Sequence, residues 1–284
     1  MPLFILPADA ETFSASLSTR ALGKNIEFHS QTHSTNDLAL AAARAGAAHG
    51  KVFIADLQTG GRGRRGRSWE SPPGQSLLFS VLVRPSGIQN TDAGWLPLLS
   101  GLACAEALAA TCQISPAIKW PNDIVIPMAQ APGWRKLGGI LCESVWAASA
   151  EQSFVVIGIG LNILQRSEDL PELAKAPPTS VLLETGQEAG RREILRAVLI
   201  NLEQRINQLS NAATRAALKK DIEDAQRRWW QPDVRLVVQS PEAEEEIAGA
   251  FSGLDEFGRL MLSSPDGKAW TLADAEVISA MAKS

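Results

Sequence analysis

Residues 51–84, KVFIADLQTGGRGRRGRSWESPPGQSLLFSVLVR, join two apolar runs through a loop that is rich in glycine and arginine. The runs at 51–56 and 76–84 predict buried strands, because short apolar stretches bounded by turn residues are typical of them. Four glycines and four arginines fall within residues 60–67. Glycine lets backbone amides approach an anion, and arginine is a permanently charged, forked donor suited to phosphate. The segment therefore predicts a phosphate-binding loop between two core strands.

Two other interpretations of this basic loop come from its composition. It could be a solvated basic loop or an arginine–glycine segment that binds RNA. Such segments usually lie in disordered tails, so the position between two strands favours a small ligand that carries phosphate. The loop is not a P-loop, because no Gly-Lys-Ser/Thr closes it. Since its arginines repel one another in an empty site, we expect it to be mobile without a ligand and ordered by one.

The pattern of elements on both sides of the loop predicts a larger domain followed by a smaller one. An extended segment at 25–31 leads into Ser34-Thr35-Asn36-Asp37, which can cap a helix that ends near residue 45. Further apolar runs predict strands near 118 and at 124–126, 136–144 and 153–164, and helices at 95–112, 191–209 and 212–229. Short alternating strands follow Pro232, at 234–238, 247–252, 259–262 and 269–272. We therefore predict an α+β domain at 1–231 and a small barrel at 232–284.

Composition limits the class of protein. The chain has 284 residues, 45% of them apolar, and 27 basic against 31 acidic residues give a net charge of −4, which argues against a general nucleic-acid binder. Three cysteines without a CxxC pair predict neither a disulfide framework nor structural zinc. The three histidines lack metal-ligand spacing, and no metal ligand is predicted. The uncharged stretch 93–105 is shorter than the ~20 residues of a membrane span, and residues 1–10 lack the basic flank of a secretory signal. These features predict a cytoplasmic protein without membrane segments.

Three later segments could line a site. Lys119-Trp-Pro-Asn-Asp123 places an amide and a carboxylate at a strand edge. Lys136-Leu-Gly-Gly-Ile-Leu-Cys-Glu143 opens a strand with a lysine, and its two glycines let the backbone run beside a ligand. The strand that ends in Gly158-Ile-Gly-Leu-Asn162 carries one amide that needs partners when buried. Each segment could also be an ordinary turn or core strand. No G-x-S-x-G motif supports hydrolase chemistry.

Taken in this order, the segments resemble biotin protein ligases. The resemblance rests on Ser34-Thr35-Asn36, on Gln58 with the loop Gly61–Arg67 and Trp69, and on the KWPND, KLGGIL and GIGLN motifs. It implies a central mixed β-sheet with packed helices, of the class II aminoacyl-tRNA synthetase-like type, and an SH3-like C-terminal barrel. It also implies that ATP and biotin are substrates, with Mg²⁺ on the triphosphate. The partner would be the biotin carboxyl carrier domain of acetyl-CoA carboxylase or of a similar biotin-dependent carboxylase.

The resemblance also assigns roles to individual residues. Lys136, Arg64 and Asp123 would be catalytic, with Asn122 and Asp123 beside the acceptor lysine or the metal. The biotin-binding residues would be Ser34, Thr35, Asn36, Gln58, Arg62, Gly63, Arg64 and Lys136. The residues that bind ATP or the adenylate would be Arg64, Arg67, Trp69, Asn122, Lys136 and Asn162.

Some features depart from the family or leave alternatives open. Only 33 residues precede Ser34, so we expect no DNA-binding domain, no repressor activity and no nucleic-acid partner. Residues 127–135 look like an insertion that forms a protruding hairpin, and residues 1–24 match nothing useful. A lipoate or octanoyl ligase of the same superfamily is the alternative enzyme, and an RNA-binding module is the alternative of another class.

Overall fold

The computed structural model describes residues 7–128, 133–149, 152–171, 177–227, 234–239 and 246–282. The predicted domain boundary at 231/232 and the middle of the predicted 127–135 insertion lie outside these residues. The described part contains a seven-stranded sheet and a five-stranded sheet. We call them the large sheet and the C-terminal sheet.

The large sheet is mixed, as the resemblance implied. Its strands are β1 (Ile26–Thr32), β2 (Val52–Gln58), β3 (Ser76–Val83), β4 (Ala117–Lys119), β5 (Asp123–Pro127), β6 (Trp134–Val145) and β7 (Phe154–Asn162). Their order is β1-β2-β3-β7-β6-β5-β4. Only β1 and β2 pair in parallel among these strands, and the other neighbours are antiparallel.

The predicted burial of the central strands on both faces is confirmed. Every residue of β3 and β7 is buried, because apolar side chains point alternately to two covered faces. Helix α2 (Thr35–Arg44) covers one face, where Ala39 and Ala43 pack against β2, β3 and β7. Helices α3 (Trp95–Cys112) and α5 (Arg191–Ser210) pack on the other face.

The remaining helices are α1 (Pro7–Ser16), the single-turn α4 (Val181–Thr185) and α6 (Ala212–Arg227). The sequence did not predict α1 or α4, since neither has a clear apolar period. Helix α5 anchors the N-terminal segment through Glu203, whose carboxylate accepts hydrogen bonds from the backbone N–H groups of Arg20, Ala21 and Leu22 at 2.7–2.9 Å.

Helix α3 has the length and composition of a membrane span, with 18 residues and a mean hydropathy of 1.4. However, 67% of it is buried inside the fold. It is therefore the core helix behind the large sheet, as its apolar residues on more than one side predicted.

The C-terminal sheet consists of β8 (Val234–Gln239), β9 (Ile247–Leu254), β10 (Leu260–Ser263), β11 (Ala269–Leu272) and β12 (Glu276–Ala282). Its order, β11-β10-β9-β8-β12, is antiparallel throughout. The sequence predicted the first four strands and missed β12. The sheet rests on the larger region, because the indole N–H groups of Trp95 and Trp120 donate to the backbone carbonyls of Glu256 (2.9 Å) and Gly258 (3.1 Å).

Candidate active site

A cavity of about 600 Å³ lies on the face of the large sheet that carries α2. All the residues to which the sequence assigned a role line it: Ser34, Thr35, Asn36, Gln58, Arg62, Gly63, Arg64, Arg67, Trp69, Asn122, Asp123, Lys136 and Asn162. The chain brings them together from β2, α2, the basic loop and strands β5 to β7. Ala275, Glu276 and Val277 of the C-terminal sheet complete the wall, and the sequence did not predict that contribution.

The floor of the cavity is made by two glycines of β7. Gly158 and Gly160 lie two residues apart on one face of the strand, so neither places a side chain between the sheet and the residues above it. A Cβ on Gly158 would lie 2.1 Å from Asn36 Oδ1, and a Cβ on Gly160 would lie 2.7 Å from Trp69 Cε2. The GIG sequence therefore allows close packing of Asn36 and Trp69 against the strand.

A neutral hydrogen-bond network forms the inner wall at the start of α2. Gln58 Oε1 accepts from the backbone N–H of Thr35 (2.8 Å) and from its hydroxyl (3.1 Å). The hydroxyl of Ser80 lies 2.6 Å from Asn36 Oδ1 and 2.7 Å from Thr35 Oγ1. Because two donors fix the Gln58 oxygen on Thr35, the amide nitrogen of Gln58 is left as a directed donor.

Arg62 is held between two carboxylates that sequence reasoning missed. It pairs with Asp37 on α2 and with Glu143 on β6, where the Nη2–Oε2 distance is 2.9 Å. Glu143 also accepts from Asn36 Nδ2 at 2.7 Å. These pairs raise the pKa of Arg62, Asp37 having the largest effect. Arg62 therefore joins the basic loop to α2 and β6. The sequence held only a weak sign of these ion pairs, because Asp37 and Glu143 each stand just after a motif that carries the resemblance.

The rest of the basic loop is a tight hairpin. Gly63 N–H donates to Arg67 O (2.7 Å) and Trp69 N–H donates to Gly61 O (2.9 Å). At the tip, Arg65 and Gly66 have φ of +57° and +72°, the left-handed region that a tight turn requires.

Carboxylates of the C-terminal sheet compensate the charge at this tip. Asp274 Oδ1 lies 2.8 Å from Arg64 Nη2 and 3.0 Å from Arg65 Nη2, and Glu276 pairs with Arg67. These carboxylates offset the repulsion among the arginines on which the expected mobility of the loop was based. The chain itself supplies the anions, from residues more than 200 positions away. That the loop is mobile without a ligand stays a prediction.

Where β5 and β6 line the cavity, the carboxylate of Asp123 lies between two lysines. Asp123 Oδ1 is 2.7 Å from Lys136 Nζ, and Asp123 Oδ2 is 3.0 Å from Lys119 Nζ. Burial by itself would raise the pKa of Asp123. The two ammonium groups together have the larger effect and lower that pKa to well below its usual range. Asp123 is therefore an ionised acceptor with both oxygens engaged, and such a carboxylate is a poor proton acceptor.

Lys136 has a second neighbour, since its Nζ lies 5.8 Å from the centre of the Trp69 ring. The backbone of Lys136 is fixed by the segment that precedes α4, because its N–H donates to Pro177 O and its carbonyl accepts from Thr179 N–H, both at 2.8 Å. The lysine ammonium and the indole thus share one edge of the cavity.

The two predicted asparagines are anchored to the backbone. Asn122 Nδ2 donates to Ile140 O (2.7 Å), and Asn162 Nδ2 donates to Thr179 O (3.0 Å). Gln165 Nε2 lies 3.3 Å from Asn162 Oδ1. Asn122 is therefore held by β6, and Asn162 is held by the segment that precedes α4 and by Gln165.

The described residues contain no group of three or more His, Cys, Asp or Glu side chains that could hold a metal ion. Asp37, Asp123, Glu143 and Glu276 near the cavity are paired with lysine or arginine, and Glu70 accepts a hydrogen bond from the Ser68 hydroxyl. Nucleophilic thiol chemistry is also unsupported, since burial raises the pKa of the nearby Cys142 to about 12.

This arrangement suits a ligand with a polar neutral part and an adjoining anionic part. Thr35 and Gln58 line the neutral wall and offer donors and acceptors, and the buried Ser80 hydroxyl supports them from behind. Arg64 and Lys136 both line the cavity and supply positive charge to it. The indole of Trp69 packs over Gly160, between the neutral wall and the two cations.

Comparisons with known proteins agree with this geometry. The sequence profile described as "Biotin/lipoate A/B protein ligase family" matches residues 28–162. The chain is 36% identical, over 244 residues, to a biotin–[acetyl-CoA-carboxylase] ligase of Mycobacterium tuberculosis, covering 84% of this chain and 83% of that protein. It is 31% identical to an enzyme of the same name from Paracoccus denitrificans, covering 84% and 94%. Among solved structures, biotin protein ligase from Aquifex aeolicus in complex with biotin and ATP superposes with a TM-score of 0.70 and 27% identity, covering 92% of this chain and 100% of that one.

Proposed function

We propose, on the premise that this chain belongs to the biotin/lipoate A/B protein ligase family, that its cavity joins biotin to ATP and presents the product to a carrier protein. The protein is an ATP-dependent biotin ligase that makes biotinyl-5′-AMP and transfers the biotinyl group to a lysine. The roles of individual residues below are proposals. The observation that carries them is that one cavity places Arg64 and Lys136 beside a wall of neutral hydrogen-bonding groups.

In the first step, the biotin carboxylate attacks the α-phosphorus of ATP and pyrophosphate leaves. Two anions must approach each other, and charge spreads over phosphoryl oxygens as they react. We assign Lys136 and Arg64 to that charge, since fixed cations aimed at developing charge are commonly the largest catalytic contribution. Mg²⁺ enters as the Mg·ATP substrate, and we assign Arg67, which also lines the cavity, to further phosphate oxygens.

The neutral wall would bind the uncharged ring system of biotin. Ser34, Thr35 and the directed amide nitrogen of Gln58 supply hydrogen-bonding groups, and Asn36 shapes the wall from above Gly158. Arg62 and the Gly63 backbone hold the loop beside them. Asn122 and Asn162 would face the adenylate.

In the second step, a lysine amine of the carrier attacks the acyl carbon and AMP leaves. The mixed anhydride has to be protected from water until the carrier arrives. Trp69 and the basic loop are placed to cover it, with Glu276 of the C-terminal sheet beside them. Because both oxygens of Asp123 are engaged by lysines, we assign it to orienting Lys136 rather than to accepting the proton of the carrier amine.

The acceptor that these relatives' names imply is acetyl-CoA carboxylase, so we propose its biotin carboxyl carrier domain as the partner. We also propose that the C-terminal sheet forms the SH3-like barrel domain of residues 232–284 and that the enzyme acts in the cytoplasm.

The decisive experiment is biotin-dependent exchange of labelled pyrophosphate into ATP, followed by transfer of labelled biotin to a purified carrier domain. We expect both activities, with no transfer of labelled lipoate or octanoate. Labelling by lipoate without labelling by biotin would overturn the proposed substrate. Binding of mixed RNA that falls steeply with salt, without any exchange, would favour the RNA-binding alternative.

A further inference from the structure

Lys119, on β4, is the second lysine on Asp123 and is the more deeply buried of the pair. Its side chain is 4% exposed, against 22% for Lys136. Its ammonium lies 3.0 Å from Asp123 Oδ2 and 5.1 Å from the centre of the Trp134 ring. Lys119, Asp123 and Lys136 therefore form a cluster with two positive charges and one negative charge.

We propose that Lys119 is a positioning residue for adenylate formation, which neutralises Asp123 so that the charge of Lys136 stays available to the anionic substrates. This inference rests on the proposed function, because it explains how the positive charge of Lys136 stays available to the substrates of the first step. Lys119 itself acts through Asp123 and is not assigned contact with the reacting atoms.

The reasoning is a matter of charge balance. Without Lys119, Asp123 and Lys136 would form an isolated one-to-one pair, and the cluster would present no net charge to a phosphate. With Lys119, each carboxylate oxygen has its own ammonium group, and the cluster keeps a net charge of +1. In a partly buried site such a difference is weakly screened, so it acts strongly on a nearby anion.

Stability alone does not require a lysine at this position. The preceding β4 residues, Ala117 and Ile118, are fully buried and apolar. Replacing a buried ion pair by apolar side chains is often neutral or stabilising, because burying charge costs desolvation energy. A buried ammonium that touches a carboxylate at the cavity wall therefore points to an electrostatic role.

Other charged groups around Asp123 come from the basic loop. Arg64 and Arg67 both act electrostatically on this carboxylate, but each is also paired with a carboxylate of the C-terminal sheet, Asp274 or Glu276. Lys119 and Lys136 are the cations that contact Asp123 directly among the described residues. Loss of Lys119 would raise the pKa of Asp123, because one of the two ammonium groups that lower it would be gone.

The test compares Lys119→Met, Lys119→Arg and the double variant Lys119→Met/Asp123→Asn in the full chain, with Lys220→Met as an exposed lysine control. Pyrophosphate exchange is measured against ATP concentration from pH 5 to 9, and folding is checked by circular dichroism. We expect Lys119→Met to lose at least about tenfold in kcat/KM for ATP at neutral pH, and we expect the loss to shrink towards acid pH, because protonation of Asp123 removes the negative charge that cancels Lys136. Lys119→Arg retains the charge and most of the activity, and Lys220→Met matches the wild type.

The double variant separates an electrostatic role from a packing role. It removes one positive and one negative charge, which restores the net +1 on Lys136, so we expect it to be more active than Lys119→Met. Equal exchange by Lys119→Met and the wild type, or a double variant no better than Lys119→Met, would overturn the inference. If Lys119→Met does not fold, the test uses the double variant alone, because that variant does not leave the Asp123 carboxylate buried with a lost partner. Exchange within about tenfold of the wild type then supports the inference. A greater loss overturns it. Absence of exchange in the wild type would instead refute the proposed function.

Discussion

At the scale of single residues, the site depends on two cations and on two absent side chains. Arg64 and Lys136 approach the cavity from the basic loop and from β6, and Lys136 lies 5.8 Å from the centre of the Trp69 ring. Gly158 and Gly160 have no side chains, so Asn36 and Trp69 can pack directly against the sheet. The chemistry and the packing are thus separable by substitution.

Replacing either cation should remove charge stabilisation from the first step. We expect Arg64→Ala and Lys136→Ala each to slow adenylate formation by a factor on the order of 10², equivalent to ~3 kcal/mol. Stopped-time assays of biotinyl-5′-AMP formation at saturating biotin and ATP would measure this. Wild-type rates in both variants would remove the roles assigned to them.

Adding one methyl group to the floor should disturb the neutral wall. Gly158→Ala would place a Cβ 2.1 Å from Asn36 Oδ1 in a fully packed region, so we expect a loss of about 1–3 kcal/mol of unfolding free energy and weaker biotin binding. Gly139→Ala on the neighbouring strand is the matched control, because its nearest contact, Trp69 Cζ3, lies at 3.4 Å. Urea unfolding and calorimetric biotin titration measure both effects, and an equal loss in the two variants would contradict this account.

At the scale of elements, the basic loop is positioned by contacts with elements that are remote in the chain. Arg62 connects it to α2 and β6, while Arg64, Arg65 and Arg67 connect it to the C-terminal sheet. Asp274 is half-exposed, so each pair with it contributes little alone. Their effect is to offset repulsion within the loop.

Removing these carboxylates should loosen the loop. In Asp274→Asn/Glu276→Gln without ligands, we expect trypsin to cut after Arg64, Arg65 or Arg67 about two- to fivefold faster than in the wild type, because the arginines would repel one another unopposed. Biotin and ATP together should slow cleavage in both proteins, and Asp266→Asn, in an exposed turn of the same sheet, should behave as the wild type. Cleavage that ignores both the substitutions and the ligands would show that charge does not order the loop.

A second contact between elements holds the N-terminal segment. Burial by itself would raise the pKa of Glu203 on α5. The backbone N–H groups of Leu22, Arg20 and Ala21 outweigh that effect, so the pKa is lowered overall. A carboxyl with a depressed folded-state pKa adds stability above its unfolded pKa of ~4.3, and this is lost as the pH falls through the folded value.

We therefore expect Glu203→Gln to cost about 1–2 kcal/mol at pH 7. Its stability should also fall less than that of the wild type as the pH drops from about 5 to 3. Thermal melts across this range would measure the difference, with the exposed Glu188→Gln as control. Parallel pH profiles for all three proteins would contradict the assignment.

At the scale of the whole molecule, the two sheets share one packed interior. Buried residues of β8, β9 and β10 belong to the same apolar cluster as α3 and the large sheet. Trp95 and Trp120 add hydrogen bonds across the junction. The C-terminal sheet is therefore joined to the catalytic region by core contacts as well as by ion pairs.

This shared interior predicts cooperative unfolding. We expect a single calorimetric transition, with tryptophan fluorescence and far-ultraviolet circular dichroism changing at the same temperature. Two resolved transitions, or different midpoints for the two probes, would show that the sheets are separate folding units.

The sequence by itself determined the elements with a clear apolar period and the residue types of the site. Helix α3, the central strands and the first four strands of the C-terminal sheet follow from local patterns, because burial of one face or both leaves a period in the sequence. The resemblance that these motifs carry implied which side chains would meet, and all of them line one cavity.

Only the tertiary structure decided which charges oppose one another. The pairing of the basic loop with Asp274 and Glu276, the position of Glu143 beside Arg62, and the sharing of Asp123 by two lysines join residues from separate strands and loops. Apart from Lys119 and Asp123, which lie four positions apart in one motif, no local pattern encodes these pairs, because electrostatic energy depends on distance and burial in space, which only the folded chain defines.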